Sequence, residues 1–510
     1  MRTFIVGLLV LLSWPAPAQA RWLEASGRHF VIYSEQTEAE LRSFAENLER
    51  FDATLRFQLH RADLDRSPQT RLTVYVLADQ GRLDALLGAR GVAGIYFGRA
   101  SGSVAFTSQV SRVPTDGGLD PQTVLFHEYT HHFLFNNFGF GAPLWFSEGY
   151  PEFWSTVRFT EDGSVQIGLP AMHRNIELTL ARPMSVRELL TLRYPISDGE
   201  TLAVVYGRGW LLSHYLSFDE SRRGQLDAYL RALSEGQSAE QATHVFGDLD
   251  QLDRDLRRYF DQRHFTYALV PAAQVPIRPV AIRPLTAGET AMMYVKLHSK
   301  RGVDSREANS LIPEARRIAA RFPDDARVQV ALAEAEHDAR NFAESEAAAD
   351  RALAADPHSV DAAVYRAWAM WGRIAASGDA TPAQWQEVRR RLSAANHLDP
   401  DAPQPLELFF QSFAAEGIPP TQNAIEGLYT AFELAPEDRD LRLLAGRQLL
   451  VAGNAAGARG VLTPLTSDGH SGRLGPRIAD VLAVLASDGP AAALARLDAP
   501  STDDGRDRTH

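Results

Sequence analysis

The 510-residue chain reads as an α+β protein in parts. A small mixed sheet with helices is expected over residues 21–264, a proline-rich linker at 265–284, and an all-α region at 285–500. Three observations predict this. Short β-branched and aromatic runs lie between capped helical stretches near the N-terminus. Helix start and stop signals dominate from residue 120 onward. Past residue 285, alanine-rich helical stretches recur between Pro323, Pro357, Pro400 and Pro436, at spacings of 34, 43 and 36 residues.

In chain order, 29–33 reads as a strand. Thr37 with Glu40 forms a capping box that opens a helix through about residue 59. Residues 72–76 form a second strand by β-branched content, and 94–106 reads as a hairpin. Asp120 as N-cap, Pro121 at the first helical position and Gly139 after Phe138 delimit a helix of about five turns. Ser185 with Glu188 opens another, and 201–218, 224–233 and 249–260 read as three more. The prolines of 271–284 suggest a stiff linker or a wrapping segment.

Apolar residues at 45% and charged residues at 23% are ordinary globular composition and exclude a mostly disordered or fibrous chain. The formal net charge is -12. There is no basic stripe, so nucleic acid is not expected as a partner. Arg2, an apolar run at 4–14 and the small-residue site Ala18-Gln19-Ala20 read as a secretory signal peptide over 1–20. No later stretch is long and apolar enough to span a bilayer. The cysteine count is 0, which excludes disulfides, thiolate metal sites and a cysteine nucleophile. An exported, periplasmic or secreted protein is expected. Residues 501–510, acidic and arginine-rich, read as a disordered tail.

His127-Glu-Tyr-Thr-His131 is the sharpest signal. Histidines four apart share one helix face, one turn apart, and can bind one zinc ion. Glu128 lies about 100° around the helix, beside that metal, where it can take a proton from water. Catalytic zinc takes three protein ligands and keeps one open position. Glu148 in the run 144–152 supplies the third after the chain turns at 139–143. Glu152, one turn further on, either accepts the free ring N–H of a zinc histidine or is a solvated helix charge. Pro151 predicts a kink just ahead of it.

The HExxH motif followed by Trp145-Phe-Ser-Glu-Gly149 resembles the gluzincin metallopeptidases, most closely the bacterial peptidase MA-like domains that precede tetratricopeptide repeats. The resemblance covers roughly residues 21–264. Residues 331–357 similarly resemble part of a tetratricopeptide repeat with its closing proline. Such a resemblance implies zinc held by His127, His131 and Glu148, with Glu128 as general base and a peptide or protein as substrate. Val205-Tyr-Gly-Arg-Gly209 resembles a segment whose tyrosine supports the tetrahedral intermediate, which makes Tyr206 its counterpart or else a core tyrosine. The 94–106 hairpin would carry an extended substrate as an added strand. It holds no acid to bind an ammonium group, so an aminopeptidase is not implied. His132 is expected to face away from the metal, whereas His214 falls two turns beyond Tyr206. The competing reading is a non-catalytic periplasmic scaffold that binds a protein partner through its repeats. Because repeats stack mainly on their own neighbours, a cut near Pro284 is expected to leave a soluble zinc domain.

Overall fold

The computed structural model describes residues 22–64, 67–109, 120–139, 141–182, 184–193, 196, 198–262, 264–466 and 474–500. The expected signal peptide and the 501–510 tail lie outside the described residues. The main sheet is mixed, in the order β4-β5-β3-β2-β1-β9. Its strands are β1 (Leu23–Ser26), β2 (Phe30–Ser34), β3 (Leu72–Leu77), β4 (Gly94–Phe97), β5 (Val104–Ser108) and β9 (Ala281–Pro284). β2, β3 and β5 run parallel, with Phe30 opposite Leu72 and Thr73 opposite Val104, while β4 pairs antiparallel to β5 at the edge. A smaller antiparallel sheet joins β6 (Arg158–Phe159), β7 (Val165–Ile167) and β8 (Ala268–Val270).

The period-2 alternation of the strands assigns the two faces of the main sheet. Ile32, Val74, Val76 and Ala105 face a core built with α1 (Glu38–Gln58). The Thr37–Glu40 capping box opens that helix as expected, and it buries Leu41, Leu48, Phe51 and Leu55. The other face presents Tyr33, Tyr75, Val104 and Phe106 to α2 (Gln80–Leu87) and to Leu285, Met293 and Leu297.

Helices follow the sheet: α3 (Pro121–Asn137), α4 (Leu144–Ser155), α5 (Asn175–Thr179), α6 (Val186–Thr191), α7 (Gly199–Phe218), α8 (Gln225–Ser234), α9 (Ala239–Ala242) and α10 (Leu249–Phe260). The remainder is helical, from α11 (Ala287–Arg301), α12 (Ser305–Ala319), α13 (Ala326–Asp338) and α14 (Phe342–Ala355) through α15 (Val360–Ser377), α16 (Pro382–Leu398) and α17 (Pro403–Glu416). It ends with α18 (Gln422–Leu434), α19 (Arg439–Val451), α20 (Ala455–Leu462), α21 (Leu474–Asp488) and α22 (Pro490–Asp498). Consecutive helices pack on one another along this region. No described helix is long and apolar enough to cross a membrane.

Of the two readings of the proline-rich stretch 265–284, the structure takes the wrapping segment and not the stiff linker. It threads both sheets: β8 pairs with β7, and β9 closes the main sheet against β1, with Pro284 opposite Leu23. An edge strand tolerates a proline because its outward N–H has no ladder partner. Buried Val270, Val275 and Val280 anchor the segment in the core. A cut near Pro284 would therefore strip α11 from Tyr33, Tyr75 and Phe106 and expose an aromatic sheet face, contrary to the expected separable domain.

Candidate metal centre

Helix α3 starts where the sequence says it should. Asp120 Oδ1 accepts from the Thr123 N–H at 2.9 Å, and Pro121 occupies the first turn. Leu125, Phe126, Tyr129, Phe133 and Leu134 are buried, which fixes the rotation of the helix. His127 and His131 then project together, with their Nε2 atoms 3.1 Å apart.

All twelve residues of α4 are buried, including Glu148 and Glu152. Pro151 sits within this helix, and the helix continues through it to Ser155. The approach of α4 to α7 depends on two glycines. A Cβ at Gly149 would lie 2.3 Å from Gly209 Cα, and one at Gly209 would lie 2.6 Å from Gly149 Cα. Only a glycine pair permits that backbone distance. Glu148 precedes one of these glycines and Tyr206 lies one turn before the other, so this crossing sets both side chains against α3.

Glu148 Oε2 is 3.6 Å from each of the His127 and His131 Nε2 atoms. With the 3.1 Å His–His separation, three donor atoms form a nearly equilateral triangle. Four-coordinate zinc with ligand distances of about 2.0–2.1 Å has ligand–ligand edges of about 3.3 Å. The group could hold a metal ion.

Glu152 lies behind this triangle. Its Oε2 is 3.0 Å from His127 Nδ1, and its Oε1 accepts from Arg174 Nε at 2.7 Å and bonds His173 Nε2. The Glu152 carboxylate thus faces His127 on the ring nitrogen opposite the one that points at Glu148. Burial pushes both buried carboxyls up, but their partners overcome it. His127 and His131 hold Glu148 well below the usual carboxylate range, and His127, His173 and Arg174 do the same for Glu152. Burial lowers His127, yet Glu148, Glu152 and Glu128 together raise it to about 10.

The Tyr206 and His127 rings pack edge to face with centroids 5.6 Å apart, and Arg174 Cζ lies 4.7 Å from the Tyr206 ring centroid. Burial, then the charges of Glu148 and Glu128, keep its phenol protonated well above the ordinary range. Glu128 is half-buried on α3, and its charge reaches both His127 and Tyr206.

The six residues singled out from the sequence thus converge. His132 turns away from the triangle, sharing a 2.7 Å hydrogen bond with the Tyr96 hydroxyl. His214 belongs to the core instead: Nδ1 meets Tyr259 Oη at 2.8 Å and Nε2 meets the Gly168 carbonyl at 2.9 Å. Sequence reasoning missed His173 and Arg174, which reach the site from a single 3-10 turn at Met172–Arg174. A three-residue turn has no periodicity to reveal it. The chain matches no protein-family model and no curated protein.

Proposed function

We propose that this chain is a zinc metallopeptidase of the gluzincin kind, followed by tetratricopeptide-like helices and exported to the periplasm or beyond. One observation carries the reading: two imidazole nitrogens and a buried carboxylate oxygen form a triangle of 3.1, 3.6 and 3.6 Å, with a second acid and a phenol beside it. A zinc ion held by His127, His131 and Glu148 would supply Lewis acidity, polarising a carbonyl and making a water more acidic.

The protein groups would do the rest. Glu128 stands on the metal-facing helix but outside the triangle, where its carboxylate would accept a proton from water and return it to the departing amine. The Tyr206 phenol, kept protonated, donates to a developing oxyanion, a contact that typically supplies a few kcal/mol. Glu152, held by Arg174 and His173, keeps His127 oriented. Strand β4 lies at the sheet edge and offers its outer backbone groups to an extended peptide.

The test is zinc content of the purified chain beside hydrolysis of a mixed peptide library, with and without chelator. About one zinc per chain and chelator-sensitive hydrolysis support the reading. Stoichiometric zinc without hydrolysis of any peptide would move the chain to the scaffold reading.

A further inference from the structure

The C-terminal helices do not simply trail away from the candidate metal centre. The turn between α18 and α19 returns to it. The Glu437 side chain is only 6% exposed. Its Oε1 accepts from Ser103 Oγ at 2.9 Å, and its Oε2 accepts from Asn136 Nδ2 at 3.1 Å. His132 Nδ1 lies 3.8 Å from Oε1. The neighbouring Asp438 accepts from the Ala100 N–H at 2.7 Å. Two further contacts flank this point. Arg442 Cζ lies 5.8 Å over the Phe135 ring, and a Cβ at Gly98 would fall 2.7 Å from the Glu437 carbonyl oxygen.

The partners of Glu437 belong to two elements that the proposed reaction needs in register. Ser103, with Ala100, sits at the tip of the β4–β5 hairpin, whose outer strand is an edge of the main sheet. His132 and Asn136 lie one and two turns beyond Glu128 on the same stripe of α3. That stripe already touches the edge strand through Tyr96 and His132. A buried carboxylate with several donors is costly to remove and rigid in place.

We infer that Glu437 is a positioning residue of the metal site: it ties the helix stripe bearing Glu128 to the β4 edge strand, so the C-terminal helices form part of the active-site wall. This rests on the metallopeptidase reading for its consequence in rate, though not for the mechanical coupling itself.

The experiment uses full-length Glu437→Ala and Gly98→Val, with Glu437→Gln as the conservative control. Gly98 has no left-handed φ, so valine there acts as a wedge against the turn and not as a strained backbone. The readouts are zinc per chain, thermal midpoint, amide exchange across β4 and α3, and kcat and KM on a mixed peptide library. The alanine and valine variants should keep their zinc while β4 and α3 exchange about tenfold faster. Their kcat should fall about 10- to 100-fold with KM changed far less, as expected when catalytic groups shift by an ångström or less. Glu437→Gln should recover most of both effects. Exchange and kcat within twofold of wild type in both disruptive variants would overturn the inference. If the wild-type chain hydrolyses no peptide, the metallopeptidase reading fails, and exchange at β4 and α3 alone decides the coupling.

Discussion

Helices α4 and α15 are both continuous, yet they bury their residues in opposite ways. Every one of the twelve residues of α4 is buried, two glutamates among them. Of the eighteen residues of α15, eight are buried: Val360, Ala362, Val364, Tyr365, Ala367, Ala369, Met370 and Ile374, an apolar stripe with one tyrosine. An amphipathic helix needs only a partner for its stripe. A helix buried all round with carboxylates inside needs a compensating charge for each. In α4 the partners are histidines and an arginine, and two of those histidines with Glu148 could hold a metal ion. Burial of α15 follows from apolar packing alone, whereas burial of α4 also depends on paired polar groups.

The contrast breaks first at the carboxylate that closes the triangle. Glu148→Ala should lose most of the zinc, measured by metal content after dialysis, whereas Glu346→Ala in the helical region should lose none. Zinc retained at full affinity in Glu148→Ala would remove it from the ligand set and point to Glu152.

Packing comes next. Trp145 is fully buried in α4 and Trp385 nearly so in α16, at 0% and 4% exposure. Each alanine replacement should cost about 3–5 kcal/mol in urea unfolding. Only Trp145→Ala should also weaken zinc binding, because Trp145 holds the helix that carries Glu148. Equal zinc affinity in the two variants would mean that α4 can lose its packing without moving its ligand.

The glycine crossing sharpens the same point with less stability at stake. Gly149→Ala forces α4 away from α7 and should cost about 1–3 kcal/mol. Peptide hydrolysis should fall more than stability does, since Glu148 and Tyr206 are displaced from each other.

The smallest effect is acid sensitivity. Burial lowers the His214 imidazole from 6.5 to about 4. The folded state therefore binds no proton there while the unfolded state does. This stability contribution is intact above pH 6.5 and is lost as pH falls toward 4. The loss should reach about 1 kcal/mol by pH 5.5. Urea unfolding of His214→Phe should show a flatter slope in that window, and an unchanged slope would assign the acid sensitivity elsewhere.

How much of this was legible follows from the same physics. Spacing alone brought His127 and His131 to one face, and Asp120 with Pro121 located the start of their helix. The Thr37–Glu40 box, the 94–106 hairpin and the bounds of α10 were likewise written in local chemistry. Local signals left the prolines of 265–284 open between a stiff linker and a wrapping segment, and edge-strand positions let the segment join two sheets. They were silent at His173 and Arg174, which sit in one isolated turn. The turn at Glu437 carries no local signal of its contacts, because its partners are Ser103 and Asn136, more than three hundred residues earlier in the chain. Pro151 predicted a disturbance at Glu152, yet the packing around α4 holds that carboxylate on His127.

The proposed hydrolysis depends on one proton acceptor, Glu128. Glu128→Gln keeps the shape of the side chain and leaves His127, His131 and Glu148 untouched, so zinc content and unfolding should match wild type. Peptide hydrolysis at equal zinc occupancy should fall by about 10²–10⁴-fold, the usual contribution of a general base. A variant that retains its zinc and hydrolyses peptide at the wild-type rate would contradict the account.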